Sequence, residues 1–240
     1  EGISHIFNSL LGDKPEGNKK IIVTSGIEHS AVYQCCLYYE TKGFTLKTIS
    51  THANGIINFE EIEQFLNENH DDIAMVNVIA SNNETGVLQP YQEIGKLTQQ
   101  YKIPFFSDTT QLIGKTEFDF SKSNMDFAVL SSHKIGAIIG SGLIIAKDPT
   151  QLKPFIFGGG QEKGLRGGTQ NYIGIETMAI AMESFMKTKE DLAQVNSYRV
   201  NFEKNIKSQF PNAVIIGENS PRLATTTMIS YPGIHGQAVQ

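Results

Sequence analysis

A single lysine stands out in the apolar stretch of residues 126–146. Lys134 follows the apolar run 127–130, and a glycine-containing turn then leads into a second apolar run at 143–146. Lysine is rarely buried without a partner or a task. One such task is a Schiff base with pyridoxal 5'-phosphate (PLP), which needs a desolvated, nucleophilic amine. The structural alternative is a lysine whose stem is buried and whose ammonium group reaches solvent.

Further polar residues follow other apolar runs that predict buried strands, at 20–25, 73–80 and 103–107. Together with Lys134, the residues after the run ends are His29, Asn83, Asp108, Gln111, Ser131 and His133. Because ligands bind beyond the carboxyl ends of parallel strands, we expect these side chains to lie at one edge of one sheet. Each also has a structural alternative, such as capping of the following turn by Asp108.

The elements that must position these residues alternate between strand and helix. Strands are predicted at 20–25, 44–49, 73–80, 103–107, 127–130 and 143–146, and helices at 2–11, 31–42, 60–67, 91–101, 172–187 and 191–210. This alternation predicts an α/β fold with a mainly parallel sheet flanked by helices. Strands at 213–217 and 225–231 predict a smaller α+β unit. We therefore divide the chain into a large domain, residues 1–190, and the beginning of a small C-terminal domain, residues 191–240.

A glycine-rich segment, residues 158–171, precedes the helix predicted at 172–187. Backbone amides beside glycines, Arg166, and a helix N-terminus whose first turn carries Thr169 together favour an anion. The alternative is a flexible surface loop, which is what glycine clusters usually form.

The composition excludes several classes of function. The chain of 240 residues is 40% hydrophobic and carries a net charge of −5, which gives no electrostatic case for binding nucleic acid or an anionic membrane. No apolar run approaches the ~20 residues that span a bilayer. The N-terminus lacks the features of a signal peptide, so we expect a cytoplasmic location.

The cysteines and histidines predict neither a disulfide nor a metal site. The two cysteines, Cys35 and Cys36, are adjacent on a predicted helix and are interpreted as buried core thiols. A catalytic thiolate needs an electropositive, partly open site, which this helix does not offer. The six histidines lack the spacing of metal ligands.

The motifs together resemble those of the NifS/IscS-type cysteine desulfurases, which belong to the class-V aminotransferase group of fold-type-I PLP enzymes. The matching stretches are Glu28-His29-Ser30-Ala31-Val32, residues 82–90, Asp108-Thr109-Thr110-Gln111, Ser131-Ser132-His133-Lys134 and residues 158–169. Their order and spacing match the family over nearly the whole chain. The resemblance implies the fold-type-I large domain, PLP as cofactor and a homodimer.

The resemblance also implies a role for each matching residue. Lys134 would hold PLP and later act as the base on the substrate α-proton. Asp108 would lie beneath the pyridine nitrogen and keep the ring protonated. The other implied contacts are Gln111 with the phenolic oxygen, His29 with the ring face, Asn83 with the ring edge, Ser131 and His133 with the phosphate, and Thr169 with the phosphate of the neighbouring subunit.

Some features depart from the family pattern. The turn after Lys134 is Ala137-Ile138-Ile139-Gly140, where the family has a Gly-Pro-Lys-Gly-like turn. The family's phosphate loop would precede residue 1, and its nucleophilic cysteine and substrate-binding arginine would follow residue 240. Neither Cys35 nor Cys36 matches the position of that nucleophile.

We therefore expect an excerpt, or a naturally truncated form, of a cysteine desulfurase that is inactive by itself. The full enzyme would convert L-cysteine to L-alanine and pass the sulfur to an iron–sulfur scaffold or another acceptor. One alternative is another class-V PLP enzyme, such as an aminotransferase or a selenocysteine lyase. The other is a degenerate, non-catalytic remnant.

Overall fold

A six-stranded sheet forms the centre of the molecule, in a computed structural model that describes residues 1–236. Its strands are β1 (Ile21–Ser25), β2 (Thr45–Ile49), β3 (Ile73–Asn77), β4 (Phe105–Asp108), β5 (Phe127–Ser131) and β6 (Gly142–Ala146). The order across the sheet is β2-β1-β3-β4-β5-β6. Strands β1 to β5 pair in parallel, and β6 runs antiparallel to β5. The predicted mainly parallel sheet is confirmed.

The helices cover both faces of this sheet. They are α1 (Gly2–Leu11), α2 (Ser30–Glu40), α3 (Phe59–Asn69), α4 (Tyr91–Gln100), α5 (Tyr172–Thr188) and α6 (Leu192–Gln209). Successive strand residues point to opposite faces. Ile22 and Phe106 accordingly pack in one buried cluster with α1 and α2, whereas Val23 and Phe105 pack in another with α3 and α4.

The helices bury the faces that their sequence patterns predict. In α4, Ile94, Leu97 and Thr98 are buried, as the spacing of apolar residues indicates. In α2, Val32 and Tyr39 are buried. No helix within residues 1–236 is long and apolar enough to cross a bilayer.

The C-terminal strands are shorter than the sequence predicts. β7 (Val214–Ile215) and β8 (Ile229–Ser230) form a two-stranded antiparallel pair, in place of the strands expected at 213–217 and 225–231. Residues between them instead bond to the loop after β3. The Leu88 amide donates to Pro221 O at 2.8 Å, and the Leu223 amide donates to Gly86 O at 2.9 Å. The division into domains at residue 190 stays a prediction, and residues 237–240 of the predicted small domain lie outside the described residues.

A buried ion cluster joins α6 to the segment between β7 and β8. Arg222 donates to both carboxylate oxygens of Glu203 in α6, at 2.8 and 2.9 Å, and Arg199 donates to the same carboxylate at 3.0 Å. The Arg222 side chain is only 2% exposed. Arg222 lies between Pro221 and Leu223, so the cluster anchors the segment that bonds to the loop after β3.

We expect Glu203→Ala to lower the free energy of unfolding by about 3–5 kcal/mol, because two buried guanidinium groups lose their shared carboxylate. Urea denaturation of the variant and the parent measures the difference. Glu218→Ala is the matched control, since it removes a more exposed carboxylate that pairs with Lys207 at 2.9 Å and should cost at most about 1 kcal/mol. Equal losses in the two variants would contradict the anchoring role.

Candidate functional site

The carboxyl ends of β1, β3, β4 and β5 meet at one edge of the sheet, which we call the site edge, because these strands are parallel neighbours. The predicted residues follow these ends. His29 comes after β1 and Asn83 after β3, Asp108 ends β4 and Ser131 ends β5, and Gln111, His133 and Lys134 lie in the turns beyond. The structure thus brings these predicted residues to the same edge.

Asp108 is a buried acid at the middle of the site edge, with 6% of its surface exposed. Its Oδ1 accepts a hydrogen bond from the Thr110 amide at 2.9 Å. The next hydroxyl, Thr109 Oγ1, donates to Val129 O at 2.7 Å and ties the turn to β5. Asp108 therefore caps its turn, as the structural alternative predicts, and also brings a carboxyl group to the edge.

Lys134 is exposed and lies on a short 3₁₀ helix, Ser132–Ile135, directly after β5. The expectation of a desolvated amine is therefore wrong, and the exposed side chain agrees with the structural alternative. The 3₁₀ helix holds the backbone of Lys134 at the end of β5. The turn after β4 packs against this helix. Gly114 has a φ of +76°, and a Cβ there would lie 2.6 Å from the Ile135 side chain, so only glycine allows this approach.

The turn after Lys134 is closed by a serine despite its departure from the family pattern. Ser132 Oγ lies 2.8 Å from the carbonyl oxygens of both Ile138 and Ser141, and the Ser132 amide donates to Ser141 O at 3.1 Å. Ile139 projects outward with 80% of its surface exposed. Hydrogen bonds from Ser132 thus hold this turn together.

Two histidines present imidazole groups at the edge. His29 caps α2, where its Nδ1 accepts from the Ala31 amide at 3.2 Å. This bond makes Nδ1 the acceptor, so the neutral ring carries its proton on Nε2. His133 Nδ1 lies 2.9 Å from Ser131 Oγ, which forms an exposed imidazole–hydroxyl pair at the end of β5.

The glycine-rich segment differs from its prediction. Arg166 donates from Nε and Nη2 to the Glu1 carboxylate at 2.8 and 3.2 Å, so its guanidinium is committed to an ion pair with the residue before α1. The hydrogen bond from Arg166 lowers the pKa of Glu1. Helix α5 begins at Tyr172 behind the cap Asn171, so the expectation that its first turn carries Thr169 is wrong. Thr169 is exposed in the loop before the helix.

Sequence analysis assigned no role to Glu28, the residue before His29. Glu28 Oε1 accepts from Ser25 Oγ at 2.5 Å and from the Ile79 amide at 2.7 Å. Burial raises the pKa of this carboxyl to about 7, and the nearby charge of Asp108 acts in the same direction. The sequence offered one indication of this role, an acidic residue in the turn after a buried strand. The indication was weak, because turns commonly carry exposed polar residues that have no such role.

A second lysine at the edge was also missed. Lys115 Nζ donates to Gln111 Oε1. Burial lowers the pKa of Lys115, and the nearby charge of Lys134 lowers it further. Because a lysine only donates hydrogen bonds, the Gln111 amide oxygen must face Lys115, which directs the amide NH₂ group elsewhere. The sequence offered one indication of this contact, a lysine four residues after Gln111 in the turn that follows a strand.

The two cysteines on α2 lie in different surroundings. Cys36 is buried with its thiol 3.6 Å from Asn77 Oδ1, and burial raises its pKa to about 12. Its prediction as a core thiol is confirmed. The prediction of a buried core thiol is wrong for Cys35, which is only half-buried, with Sγ 3.7 Å from Ser4 Oγ in α1. Partial burial raises the pKa of this thiol as well.

The groups at the site edge fit PLP, which is an aromatic pyridine carrying an aldehyde, a phenolic oxygen and a phosphate. Lys134 offers an accessible amine to the aldehyde, and Asp108 offers a buried carboxyl to the pyridine nitrogen. The Ser131–His133 pair offers a hydroxyl and an imidazole N–H to the phosphate. The donors and acceptors of the cofactor thus have chemical counterparts at this edge.

Comparisons with known proteins identify relatives of the chain. The chain is 32% identical over its full 240 residues to the cysteine desulfurase NifS of Azotobacter vinelandii, of which it covers 58%. It is 36% identical over 227 residues to the cysteine desulfurase IscS of Rickettsia typhi, covering 93% of this chain and 55% of that protein. The chain therefore spans less than two thirds of the length of these relatives.

The fold agrees as well. A NifS-like protein from Rickettsia africae, known from its X-ray structure, superposes with a TM-score of 0.87 at 32% identity, over 99% of this chain and 63% of that one. The aminotransferase class-V family model matches residues 1–240. The resemblance to NifS/IscS-type proteins is confirmed, and with it the chain belongs to the PLP-dependent aminotransferase class-V family.

Proposed function

We propose that the chain is the PLP-binding part of a NifS/IscS-type cysteine desulfurase. The observation that carries this proposal is the convergence of Lys134, Asp108 and Gln111 at the ends of adjacent parallel strands. In the full enzyme, the substrate is L-cysteine and the products are L-alanine and a sulfur atom. The sulfur passes to an iron–sulfur scaffold or another acceptor, in a cytoplasmic homodimer.

When bound, PLP supplies an electron sink for the substrate α-carbon. Lys134 Nζ would hold the cofactor through its aldehyde group and would then be the base that takes the substrate α-proton. Asp108 would place a negative charge near the pyridine nitrogen, which favours a proton on that nitrogen. The Gln111 NH₂ group, which faces away from Lys115, would donate to the phenolic oxygen.

The remaining predicted residues orient the cofactor. The His29 ring, fixed by its bond to Ala31, would cover one face of the pyridine, and Asn83 would contact its edge. Ser131 and His133 would bind the phosphate. Thr169 reaches the phosphate of the neighbouring subunit, a proposal that its exposed position in the 158–171 loop supports.

The first prediction concerns the attachment of PLP. We expect borohydride treatment of the chain with PLP to label Lys134, because its amine is accessible at the site edge. Peptide mapping by mass spectrometry identifies the labelled lysine. Lys134→Ala should abolish the label, whereas Lys122→Ala, which removes an exposed lysine elsewhere, should keep it. Labelling spread over several lysines would overturn the assignment.

The second prediction concerns Asp108. We expect Asp108→Asn to raise the Kd for PLP about tenfold or more and to shift its visible absorption, because a charge-assisted hydrogen bond is worth about 1.5–3 kcal/mol. Absorption titration measures both. Asp71→Asn serves as the control, since this carboxylate is 90% exposed. The pyridine role is wrong if the two variants bind PLP equally well.

The third prediction concerns activity. Attack on the sulfur of cysteine requires an accessible thiolate. The chain has two cysteines, and burial raises the pKa of both. We therefore expect residues 1–240 to produce alanine from cysteine no faster than free PLP does, measured under reducing conditions. Turnover that disappears in a Cys35→Ala/Cys36→Ala variant would show that one of them is the nucleophile.

An aminotransferase is the second candidate, since it needs no thiolate, and burial raises the pKa of both Cys35 and Cys36. The same samples distinguish the two functions. Transfer of an amino group from alanine to a 2-oxo acid, without dependence on either cysteine, would favour the aminotransferase.

A further inference from the structure

The turn between β1 and α2 carries a carboxyl group for which the proposed function has no use. Glu28 precedes His29, but its carboxyl turns inward while the His29 ring stays exposed. Its Oε1 accepts two hydrogen bonds, from Ser25 in β1 and from the backbone amide of Ile79 beyond β3. One oxygen atom thus joins the ends of two neighbouring strands.

The bond to Ile79 links two parts of the site edge. Ile79 lies at the start of the segment that leads to Asn83, and Glu28 lies beside His29. A second link runs in parallel, because Asn82 Nδ2 donates to Ile27 O at 3.1 Å. The position of the His29 turn relative to the Asn83 loop therefore depends on the Glu28 carboxyl and on Asn82.

The surroundings of the other carboxyl oxygen favour the protonated, neutral form of Glu28. Glu28 Oε2 is buried and has no hydrogen-bond partner within the described residues. A buried carboxylate oxygen without a partner costs considerably more than a neutral carboxylic acid does. The titratable groups facing it are the Asp108 carboxyl on β4 and the Cys36 thiol on α2, neither of which is a cation. Negative charge on Asp108 further disfavours a second one.

We propose that Glu28 is a positioning residue: as a neutral carboxylic acid it joins the His29 turn to the Asn83 loop and leaves Asp108 as the carboxylate beneath the cofactor. This inference rests on the proposed function for the roles of His29, Asn83 and Asp108. An ionised Glu28 would repel the charge of Asp108, and a smaller side chain would release the two loops from each other.

The neutral state has a measurable consequence without cofactor. The pKa of Glu28 is about 7 in the folded chain and 4.5 in the unfolded one. The folded state therefore keeps a proton that the unfolded state has lost, and the stability contributed by this group is complete below pH 4.5 and disappears as the pH rises to about 7. A glutamine, which is neutral at every pH, removes this contribution to the pH dependence.

The experiment compares thermal unfolding of the PLP-free chain between about pH 4.5 and pH 8 for the parent and Glu28→Gln. We expect the Tm of Glu28→Gln to rise relative to that of the parent as the pH increases through this window. Glu63→Gln, which changes an exposed carboxylate, should follow the parent throughout. If the Tm values of the parent and Glu28→Gln change in parallel with pH, the proposal that Glu28 is a neutral acid is wrong.

Binding of PLP tests the positioning role. We expect Glu28→Gln to keep the parent's Kd for PLP within about twofold, and Glu28→Ala to raise it about tenfold, the effect of losing bonds worth ~1.4 kcal/mol. Equal Kd values for Glu28→Ala and the parent would overturn this role. If Glu28→Ala does not fold, the Kd of Glu28→Gln tests the role instead. A Kd for PLP far above that of the parent would then overturn the positioning role. A parent chain that binds no PLP at Lys134 would instead overturn the proposed function, while the pH profile of the PLP-free chain would still test Glu28.

Discussion

Burial of a parallel sheet on both faces is the constraint on which the rest of the structure depends. Helices α1 and α2 cover one face and α3 and α4 cover the other, so β1, β3, β4 and β5 between them are mostly apolar. In these four strands, polar side chains occur only in the last two positions. Because β1, β3, β4 and β5 run in the same direction, four consecutive turns present their side chains to one volume.

At the site edge, chemically similar side chains lie in different surroundings. Asp108 and Glu28 are neighbouring carboxyls, yet Glu28 has a buried oxygen without a partner while Asp108 caps its turn. Lys115 and Lys134 are neighbouring amines, yet Lys115 is half-buried against Gln111 while Lys134 is exposed. In each pair, the surroundings thus give one member a positioning role and leave the other available to a ligand.

The sequence predicted the sheet and most of its edge because both depend on local patterns. Apolar runs locate β1 to β6, and Lys134 and Asp108 come directly after two of them. The residues that were missed depend on tertiary contacts. Glu28 turns inward only because the Ile79 amide is there to meet it, and Arg166 pairs with Glu1, far away in the chain. The strands at 213–217 and 225–231 were overestimated because residues 221–223 bond to another loop, which no period in the sequence reveals.

The contact between residues 221–223 and the loop after β3 also affects the order in which parts of the chain can fold during synthesis. Gly86 and Leu88 bond to Leu223 and Pro221, and Arg222 between them is fixed by Glu203. A ribosome makes the Asn83 loop long before it makes these partners. The sheet can therefore form while the chain is still growing, but the loop cannot complete its hydrogen bonds until the chain has passed residue 223 and left the exit tunnel. Completion of the Asn83 loop is thus a late step, which depends on a segment that lies outside the site.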